Sequence, residues 1–548
     1  MIRETTKIFG RSLLILLLIF GISAGQSYSQ VFNEHLYKFS KVLGLVNTFY
    51  VDTVEQDELV ENAIIEMLHK LDPHSIYISK EDVKAMNEPL RGNFEGIGIQ
   101  FNILKDTIYV ISALSGGPSE KLGIHAGDRI VEIEGENVAG VGIKNKDVAD
   151  KLRGKKGTIV SVGILRRNVE DLLEFTITRD KIPIHSLDAS YLINKNTGYI
   201  KINRFSASTI SEFEEALVNL RSESAATSDD NTNDLEHLVL DLRGNSGGYL
   251  SAAIELADHF LESKKLIVYT EGINSPQRLY KSTSKGSFKE GKVIVLVDEG
   301  SASASEIVSG AIQDWDRGII IGRRTFGKGL VQRQYDLPDS SMIRLTIARY
   351  FTPTGRLIQK AYDKGYQEYS RDIINRYNSG ELANEDSIHF PDSLKYKTLQ
   401  YERTVYGGGG IMPDIFVPLD TTKNTDYYGE MIRKGIMNTF VLNYIDKNRK
   451  KLLKEYPDFD TYNSTFSVNE DLLSELVEYA EKEGLEKNEE EFETSKDDIR
   501  LITKALIARD LWSTSEYFEI VNAKNDTYLK ALELLEDSGL YDKLLTNL

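Results

Sequence analysis

Residues 292–312 read KVIVLVDEGSASASEIVSGAI. The first six residues, Lys292 to Val297, form the largely apolar run that is typical of a strand buried on both faces of a sheet. A turn of Gly, Ser and Ala follows the run. Five apolar residues then recur at the spacing of one helix face: Ala304, Ile307, Val308, Ala311 and Ile312. The segment predicts a strand, a tight turn and a helix, which is the repeating unit of an α/β layered core.

The neighbouring segments repeat this alternation of strand and helix. Leu238 to Leu242 is a second apolar run, and it also leads into a Gly/Ser turn and a helical pattern. Ile319 to Ile321 predicts a further strand. We therefore assign residues 181–420 to one α/β core. Residues 361–410 are polar and rich in Tyr, Asp and Ser, and they predict an insertion within that core.

The regions on either side of the core differ from it in pattern. Residues 91–180 carry short β-rich runs separated by glycine turns, which predicts a small β-barrel or sandwich of about 90 residues. Residues 31–90 and 421–548 are largely helical in pattern, and the latter are strongly charged. The sequence thus predicts a multidomain α/β protein with an inserted β module and helical N- and C-terminal regions.

The bulk composition excludes several classes of function. The chain has 548 residues, which predicts several domains, and a formal net charge of −18. Such an acidic surplus argues against nucleic acid as a partner. The absence of cysteine rules out disulfides, thiolate metal sites and a cysteine nucleophile.

The N-terminus carries a compartment signal. Three basic residues, Arg3, Lys7 and Arg11, precede an apolar run of 10 residues from Leu13 to Ile22. A membrane span needs roughly 20 apolar residues, so we assign residues 1–30 to a secretory signal peptide, with a retained anchor as the alternative. Either case predicts an exported protein, periplasmic or attached to the outer face of the inner membrane.

The Gly300–Glu306 turn is the first of three candidate sites in the core. Ser303 lies where the predicted helix begins, beside backbone N–H groups that have no partner inside the helix. Such groups and the helix dipole can stabilise an oxyanion, which makes Ser303 a candidate nucleophile. Ser303 and Glu306 also match a capping box, so the same residues serve as a helix cap, and the two roles are compatible.

The Gly322–Gly329 segment is the second candidate site. It nearly matches a phosphate-binding loop, with Lys328 in the lysine position. Gly329 stands where that loop needs a hydroxyl, and residues 330–335 alternate like a strand instead of opening a helix. The nucleotide interpretation is therefore disfavoured against a lysine held close to neighbouring backbone by flanking glycines.

The Gly244–Gly248 turn is the third candidate. It matches the G-x-S-x-G pattern of a nucleophile elbow, which makes Ser246 a rival nucleophile. A triad would need a histidine partner, for which His259 and His389 are the downstream candidates. Alternatively, the glycine-rich turn supplies backbone N–H groups to another nucleophile.

The first two candidate sites, taken with their neighbouring residues, connect the chain to a known family. Ser301 to Ile307 (SASASEI) and Thr325 to Gln332 (TFGKGLVQ) resemble the C-terminal processing peptidases, also called tail-specific proteases. The resemblance implies a serine endopeptidase in which Ser303 is the nucleophile, Lys328 the base and Gln332 its assistant. It also implies an oxyanion hole from the amides of Ala304 and of Gly247, with Gly248 as the alternative to Gly247, and it calls for no metal or cofactor.

The resemblance covers roughly residues 35–420 and rests on several motifs in order. These include residues 71–75 (LDPHS), 240–248 (LDLRGNSGG), 348–356 (ARYFTPTGR) and 410–415 (GIMPDI). The chain departs from compact family members in its 361–410 insertion and its long C-terminal tail. The terminal helices predict a homo-oligomer, as in relatives.

The β module resembles a PDZ domain. Gly96, Ile97, Gly98 and Ile99 resemble its carboxylate-binding loop, which implies that substrate C-termini bind there and add as a β-strand. Two ordinary hairpin turns are the alternative interpretation. By resemblance, Arg179 is expected to couple this module to the protease core. The expected partners are therefore protein or peptide substrates, and the rival functions are a non-catalytic PDZ scaffold and a hydrolase that uses Ser246.

Overall fold

The structure, a computed structural model, describes residues 34–114, 116–167, 169–227 and 235–546. The predicted signal peptide at residues 1–30 lies outside these ranges. The chain divides into two compact units, residues 1–77 and 78–548. No helix within the described ranges has the length and apolar character that a membrane crossing requires.

The first unit is helical over its described part. Helix α1 covers residues 34–49 and α2 covers Gln56–His69. The turn predicted at Asp72 follows α2: the Asp72 carboxylate accepts the N–H groups of His74 and Ser75 at 2.8 and 2.9 Å. Such a turn satisfies backbone donors that the ended helix can no longer pair.

The second unit begins with a helix that leads into the β module. Strand β1 (Ile76–Ile78) lies at the junction of the two units, and α3 (Lys80–Arg91) follows it. The module then runs in chain order through β2 (Asn93–Gly96), β3 (Ile99–Leu104), β4 (Thr107–Ala113), α4 (Pro118–Lys121), β5 (Arg129–Ile133), β6 (Glu136–Asn137), α5 (Asn145–Leu152), β7 (Ile159–Leu165), β8 (Leu173–Thr178) and β9 (Asp180–Pro183).

An antiparallel sheet in the order β3-β4-β5-β7-β8, with β6 paired to β5, makes up the module. Strands β2 and β9 pair antiparallel at the two ends of the module, which gives the chain one stem through which it enters and leaves. The predicted strands and glycine turns are thus confirmed as a sheet, while closure of that sheet into a barrel stays a prediction.

The α/β core follows in the predicted alternation. Its elements are β10 (Leu187–Asn194), β11 (Thr197–Ile202), α6 (Thr209–Thr227), β12 (His237–Asp241), α7 (Leu250–Asp258), β13 (Leu266–Gly272), β14 (Ser275–Lys281), β15 (Lys292–Val297), α8 (Ala304–Asp314), β16 (Ile319–Gly322), β17 (Leu330–Asp336) and β18 (Met342–Phe351). The central sheet has the order β10-β11-β12-β15-β16-β21, with β21 at Ile415–Phe416. Only the β10–β11 pair in it is antiparallel.

A second sheet of the core carries the strand after the predicted base. Strands β17, β18, β13 and β14 pair antiparallel in that order. Strand β17 starts at Leu330, directly after the glycine-flanked Lys328, so the structure has a strand where a phosphate-binding loop would open a helix. The nucleotide interpretation of residues 322–329 is therefore wrong.

The insertion and the C-terminal region are ordered parts of this unit. Residues 361–410 contain α9 (Tyr366–Ser370), α10 (Asp372–Asn378), two short 3-10 helices (Glu385–Ser387 and Asp392–Leu394) and the hairpin β19 (Lys395–Lys397) with β20 (Thr404–Tyr406). The C-terminal helices are α11 (Asp426–Arg433), α12 (Ile436–Glu455), α13 (Phe459–Thr465), α14 (Glu470–Lys482), α15 (Glu489–Leu511), α16 (Thr514–Asn522), α17 (Asp526–Glu536) and α18 (Ser538–Thr546).

The central sheet is buried on both faces, by different helices. Leu238 and Leu240 of β12 belong to the core beneath α6, α7 and α8. Val239, between them, faces the opposite side and packs in a cluster with Tyr528 and Tyr541 of the last two helices. Successive strand residues point to opposite faces, so the apolar run predicted as doubly buried is confirmed. The last two helices, α17 and α18, therefore cover the second face of the central sheet.

Candidate active site

The three serines of the Gly300–Glu306 turn lie in different surroundings. Ser301 and Ser305 are fully buried. Their hydroxyls donate to the carbonyl oxygens of Leu242 and Asn245, each at 2.8 Å. Ser303 is half-buried between them. Two of the serines therefore fasten this turn to the neighbouring 242–248 turn, and only Ser303 keeps an accessible hydroxyl.

Ser303 has a strained backbone. Its φ of 55° and ψ of −109° lie outside the regions that a side-chain-bearing residue normally adopts. Such strain persists only where the surrounding structure imposes it, and it concentrates at functional sites. Ser303 is the residue before α8, and the N–H of Ala304, the first in that helix, has no acceptor among the described residues. A free amide thus lies next to the predicted nucleophile.

Glu306 joins two segments. One is the Gly300–Glu306 turn, which we call the serine turn, and the other is the lysine loop, which we define as residues 324–328. Its fully buried carboxylate accepts the Ser303 N–H at 2.7 Å. It also accepts the Gly327 and Lys328 N–H groups at 2.7 and 2.9 Å, and the Thr325 hydroxyl at 2.5 Å. Burial raises the pKa of Glu306, and these four donors act against that rise. One side chain therefore fixes the backbone of both predicted catalytic residues.

Tyr350 makes a second link between the same two residues. Its ring is 1% exposed, and its hydroxyl lies 2.6 Å from the Lys328 carbonyl oxygen and 3.1 Å from that of Ser303. Burial raises the pKa of Tyr350 well above its ordinary value, so this hydroxyl stays a donor at neutral pH. The main chains of Ser303 and Lys328 are consequently held side by side.

The Lys328 side chain reaches the residue predicted to assist it. Lys328 Nζ donates to Gln332 Oε1 at 3.0 Å, and both side chains are half-buried. A free lysine amine is almost wholly protonated near neutral pH, so a lysine base needs surroundings that favour its neutral form. The amide oxygen of Gln332 fixes the direction of the amine.

The predicted oxyanion donors differ in availability. A Cβ on Gly247 would lie 2.8 Å from Ser303 Cβ, so this glycine lies directly beside the predicted nucleophile. Its N–H, however, donates to the Asn245 Oδ1 at 2.9 Å. The Gly248 N–H has no acceptor within the described residues. The oxyanion role assigned to Gly247 would require its bond to Asn245 to be shared, whereas the amides of Ala304 and Gly248 are available.

The rival triad around Ser246 is not assembled. Ser246 is exposed, but no hydrogen bond joins it to a histidine in the part of the chain that the structure describes. His259 Nδ1 lies 2.8 Å from the Ser287 hydroxyl, and its ring packs against Phe213. His389 lines a separate cavity of about 490 Å³ beside Arg403. An exposed hydroxyl without a base is a weak nucleophile.

The predicted carboxylate loop lies at an edge of the β module. Residues Gly96 to Ile99 connect β2 to β3, and Gly98 adopts a positive φ of 75°. Strand β3 ends the sheet order, so its outer edge is unpaired within the described part of the module. An extended peptide can add to such an edge.

Arg179 makes its contacts inside the β module. Its guanidinium donates to the carbonyl oxygens of Lys151 and Leu152 at 2.8 and 3.1 Å, at the end of α5. A third carbonyl, that of Ile159, accepts at 2.9 Å. Coupling of this residue to the protease core stays a prediction.

Three residues of the site were not singled out from the sequence. Glu306 was assigned only as a helix cap, and Asn245 and Tyr350 had no assigned role. Asn245 is fully buried, and its backbone oxygen accepts the Ala302 N–H at 2.9 Å. In the sequence, these residues are marked only as polar side chains within otherwise apolar or glycine-rich segments, and that pattern could have suggested a buried polar role. Within the described ranges, no group of three or more His, Cys, Asp or Glu side chains is arranged to hold a metal ion.

Four family models match successive parts of the chain. They are the activating protease CtpB N-terminal domain at residues 21–82, the PDZ domain at 96–177, peptidase family S41 at 196–366 and a family of unknown function (DUF8443) at 427–513. The S41 match contains the serine turn and the lysine loop, and the PDZ match covers the β module.

The chain is also similar to named proteins. The carboxy-terminal-processing protease of Bartonella bacilliformis is 37% identical over 327 residues, which are 60% of this chain and 73% of the relative. Carboxy-terminal processing protease CtpB of Bacillus subtilis is 36% identical over 326 residues, 59% of this chain and 65% of the relative. A solved photosystem II D1 C-terminal processing protease is 27% identical, with 59% of this chain and 89% of that chain covered and a TM-score of 0.32. The chain belongs to peptidase family S41 as a carboxy-terminal processing serine protease with a PDZ domain.

Proposed function

We propose that this protease cleaves peptide bonds with Ser303 as nucleophile and Lys328 as general base. The observation that carries this assignment is the buried Glu306 carboxylate, which accepts the N–H groups of both residues at 2.7 and 2.9 Å. A base must be held near its nucleophile, and a shared buried anchor holds the two main chains together while Gln332 directs the amine.

The chemistry follows from these positions. Neutral Lys328 takes the proton of the Ser303 hydroxyl as its oxygen attacks the scissile carbonyl carbon. The negative charge on the carbonyl oxygen is stabilised by the Ala304 amide and a glycine amide of the 244–248 turn. The C–N bond then breaks, and Lys328 returns the proton to the leaving amine. The Lys328 amine then activates a water molecule, which hydrolyses the acyl-enzyme and releases Ser303.

Substitution of the lysine tests this assignment. Lys328→Ala should lower kcat on an unfolded protein substrate by at least about 10³-fold, because the proton acceptor is lost. Lys364→Ala, which removes an exposed lysine of the insertion, is the matched control and should behave as wild type. Full activity of the Lys328→Ala protein would refute the dyad.

We also propose that the PDZ domain binds substrate C-termini through Gly96, Ile97, Gly98 and Ile99. The turn between β2 and β3, with its glycines, allows backbone N–H groups to converge on a carboxylate, and the open edge of β3 accepts the peptide as a strand. Peptides of identical sequence with a free or an amidated C-terminus separate this role from simple tethering. The amidated peptide should be cleaved more slowly, and equal rates would contradict the proposal.

We further infer that the protein is exported and forms a homo-oligomer through its N-terminal helices. The basic and apolar N-terminal segment supports export. Five large apolar side chains of α1 are 47 to 76% exposed: Leu36, Phe39, Val42, Leu45 and Phe49. A helix this apolar buries its face against a partner, and a second copy carries the same face.

Light scattering on the exported chain tests the oligomer. The measured mass should be at least twice the mass of one chain, and the double substitution Phe39→Asp and Phe49→Asp should lower the measured mass. Asn47→Asp, on the same helix, is the control and should leave the mass unchanged. A monomeric wild-type protein would contradict the inference.

A further inference from the structure

The lysine loop is held from two sides. Glu306 holds it from the side of α8 through three hydrogen bonds, which the Thr325 hydroxyl and the Gly327 and Lys328 N–H groups donate. The other side of the loop contacts Lys360 and the first part of the 361–410 insertion. Five of these residues form what we call the insertion clamp: Lys360, Tyr369, Asp372, Arg376 and Glu381. All but the half-buried Asp372 are at most 9% exposed.

Arg376 binds the main chain of the loop directly. Its guanidinium donates to the carbonyl oxygens of Arg324 and Thr325 at 2.5 and 3.2 Å. The third donor, Nε, binds Glu381 Oε1 at 2.7 Å. A guanidinium presents its donors in a fixed fork, so it sets the spacing and direction of the two successive carbonyls.

Glu381 ties the same loop a second time. It receives a bidentate pair from Arg324, with Nε–Oε1 and Nη2–Oε2 distances of 2.8 Å. Burial acts to raise the pKa of Glu381, but the two guanidinium groups outweigh it and lower the pKa. The carboxylate is therefore ionised at neutral pH and keeps both arginines in place.

An aromatic and cationic contact completes the clamp. Lys360 Nζ lies 3.7 Å from the ring centre of Phe326, which is in the lysine loop, and 4.2 Å from that of Tyr369. Its charge is paired with Asp372 at 2.8 Å. The main chain of Lys360 also binds the lysine loop, because the Lys360 N–H donates to the Gly327 carbonyl oxygen at 2.9 Å. A cation between two ring faces favours one arrangement of both.

We infer that the insertion positions the catalytic lysine, with Arg376 as its principal positioning residue. The inference rests on the proposed role of Lys328 as base. Arg376 is only 3% exposed and acts on the Arg324 and Thr325 carbonyls, three to four residues before Lys328. Loss of these bonds loosens the 324–325 end of the loop, while Glu306 still holds the other side. A displacement of about 1 Å at a reacting group can cost on the order of 10²-fold in rate.

The test compares Arg376→Gln with Arg371→Gln in the full chain. Arg371 is an exposed arginine of the same insertion and is the matched control. Arg376→Gln should lower kcat by about 10- to 100-fold with KM changed by less than about 3-fold, because substrate contacts are intact. Arg376→Lys, which restores a cationic donor, should recover part of kcat. Arg371→Gln should match wild type. Unchanged kcat in Arg376→Gln, or a loss confined to KM, would overturn the inference.

A combined variant separates positioning from general destabilisation. With an activated ester as substrate, the Lys328→Ala protein should retain a measurable rate, and adding Arg376→Gln should lower that rate no further, since the base is already absent. An equal further loss in both backgrounds would overturn the inference. Full activity of Lys328→Ala alone would instead refute the proposed dyad itself.

A second variant covers the case in which Arg376→Gln does not fold. Tyr369→Leu removes one ring of the aromatic contact and leaves Arg376 and Glu381 in place. It should lower kcat by roughly 3- to 10-fold at unchanged KM, a smaller effect because the carbonyl bonds remain. Wild-type kcat in a folded Tyr369→Leu protein would count against the clamp.

Discussion

The Gly300–Glu306 and Gly244–Gly248 turns follow β15 and β12, two neighbouring parallel strands, and each presents a serine at the same edge of the sheet. Ser246 is the more exposed of the two serines. Among the described residues, no hydrogen bond joins its side chain to a histidine or a lysine. Ser303 is less accessible, has a strained backbone, and shares the Glu306 carboxylate with Lys328. The assignment of Ser303 as nucleophile therefore rests on its shared anchor with Lys328 and not on accessibility.

The two turns also depend on each other. Ser301 and Ser305 donate to carbonyls of the 242–245 segment, and a Cβ on Gly247 would collide with Ser303. The Gly244–Gly248 turn and the residues before it therefore hold the strained Gly300–Glu306 turn in place. This division of roles predicts that equivalent substitutions in the two turns have unequal effects.

Removal of the two hydroxyls should give the largest contrast. Ser303→Ala should abolish peptide hydrolysis, with a loss of at least about 10³-fold in kcat, because no acyl-enzyme can form. Ser246→Ala should stay within about 3-fold of wild type. Initial rates on an unfolded substrate measure both. A dead Ser246→Ala enzyme with an active Ser303→Ala enzyme would reverse the comparison.

Removal of the shared anchor should have the next largest effect. Glu306→Gln replaces one accepting oxygen with an NH₂ group that faces N–H donors, so at least one link to Ser303 or the lysine loop is lost. We expect kcat to fall by about 10²-fold with the protein still folded. Glu299→Gln, which breaks a partly exposed ion pair with Arg323, should leave kcat near wild type. Equal kcat values for the two variants would contradict the anchor role.

Two glycines of the 244–248 turn offer a matched steric test. Gly244 and Gly247 have positive φ values of 72° and 102°. A Cβ at Gly244 would meet nothing within 4 Å, whereas one at Gly247 would meet Ser303 Cβ at 2.8 Å. Both alanine variants should lose stability from backbone strain, roughly 1 kcal/mol. Only Gly247→Ala should also lower kcat, by about 10-fold or more. A similar fall in kcat for both variants would mean that strain alone limits the site.

The smallest effect on activity is expected from substitution of Asp241, the last residue of β12 before the 244–248 turn. Burial acts to raise the pKa of Asp241, but Arg243, Lys201 and Tyr199 outweigh it and lower the pKa well below its usual range. An unfolded aspartate titrates near about 3.9, so its stabilising contribution is present above that pH and declines as pH falls toward the lower folded value. Asp241→Asn should therefore lower the free energy of unfolding by about 3 kcal/mol at pH 7.

Denaturant unfolding at several pH values measures this contribution. The gap between wild type and Asp241→Asn should narrow as pH falls from 5 to 3, because the wild-type carboxylate loses its advantage over the unfolded chain. Asp339→Asn, at an exposed aspartate, is the control and should show a much smaller gap at every pH. A gap that stays constant between pH 7 and pH 3 would exclude the electrostatic explanation.

The sequence identified the residues that carry motifs and missed those that connect them. Ser303, Lys328 and Gln332 were named from their segments, and the structure brings Lys328 and Gln332 together. Glu306 was interpreted only as a cap, since its contacts with Gly327 and Lys328 span more than 20 residues of chain. The 361–410 segment was recognised as an insertion, but nothing in its polar composition indicated that Arg376 holds the lysine loop.

The apolar runs at 238–242 and 292–297 determined by themselves that these strands are buried on both faces. Only the tertiary structure decided what covers the second face, namely α17 and α18 near the end of the chain. The physical reason is that hydrophobic burial is non-directional: periodicity records that a side chain leaves water, and it does not record which partner replaces the water. Partner choice depends on the shape and connectivity of the folded chain. The same holds for the lysine loop, whose position is fixed by side chains far away in sequence.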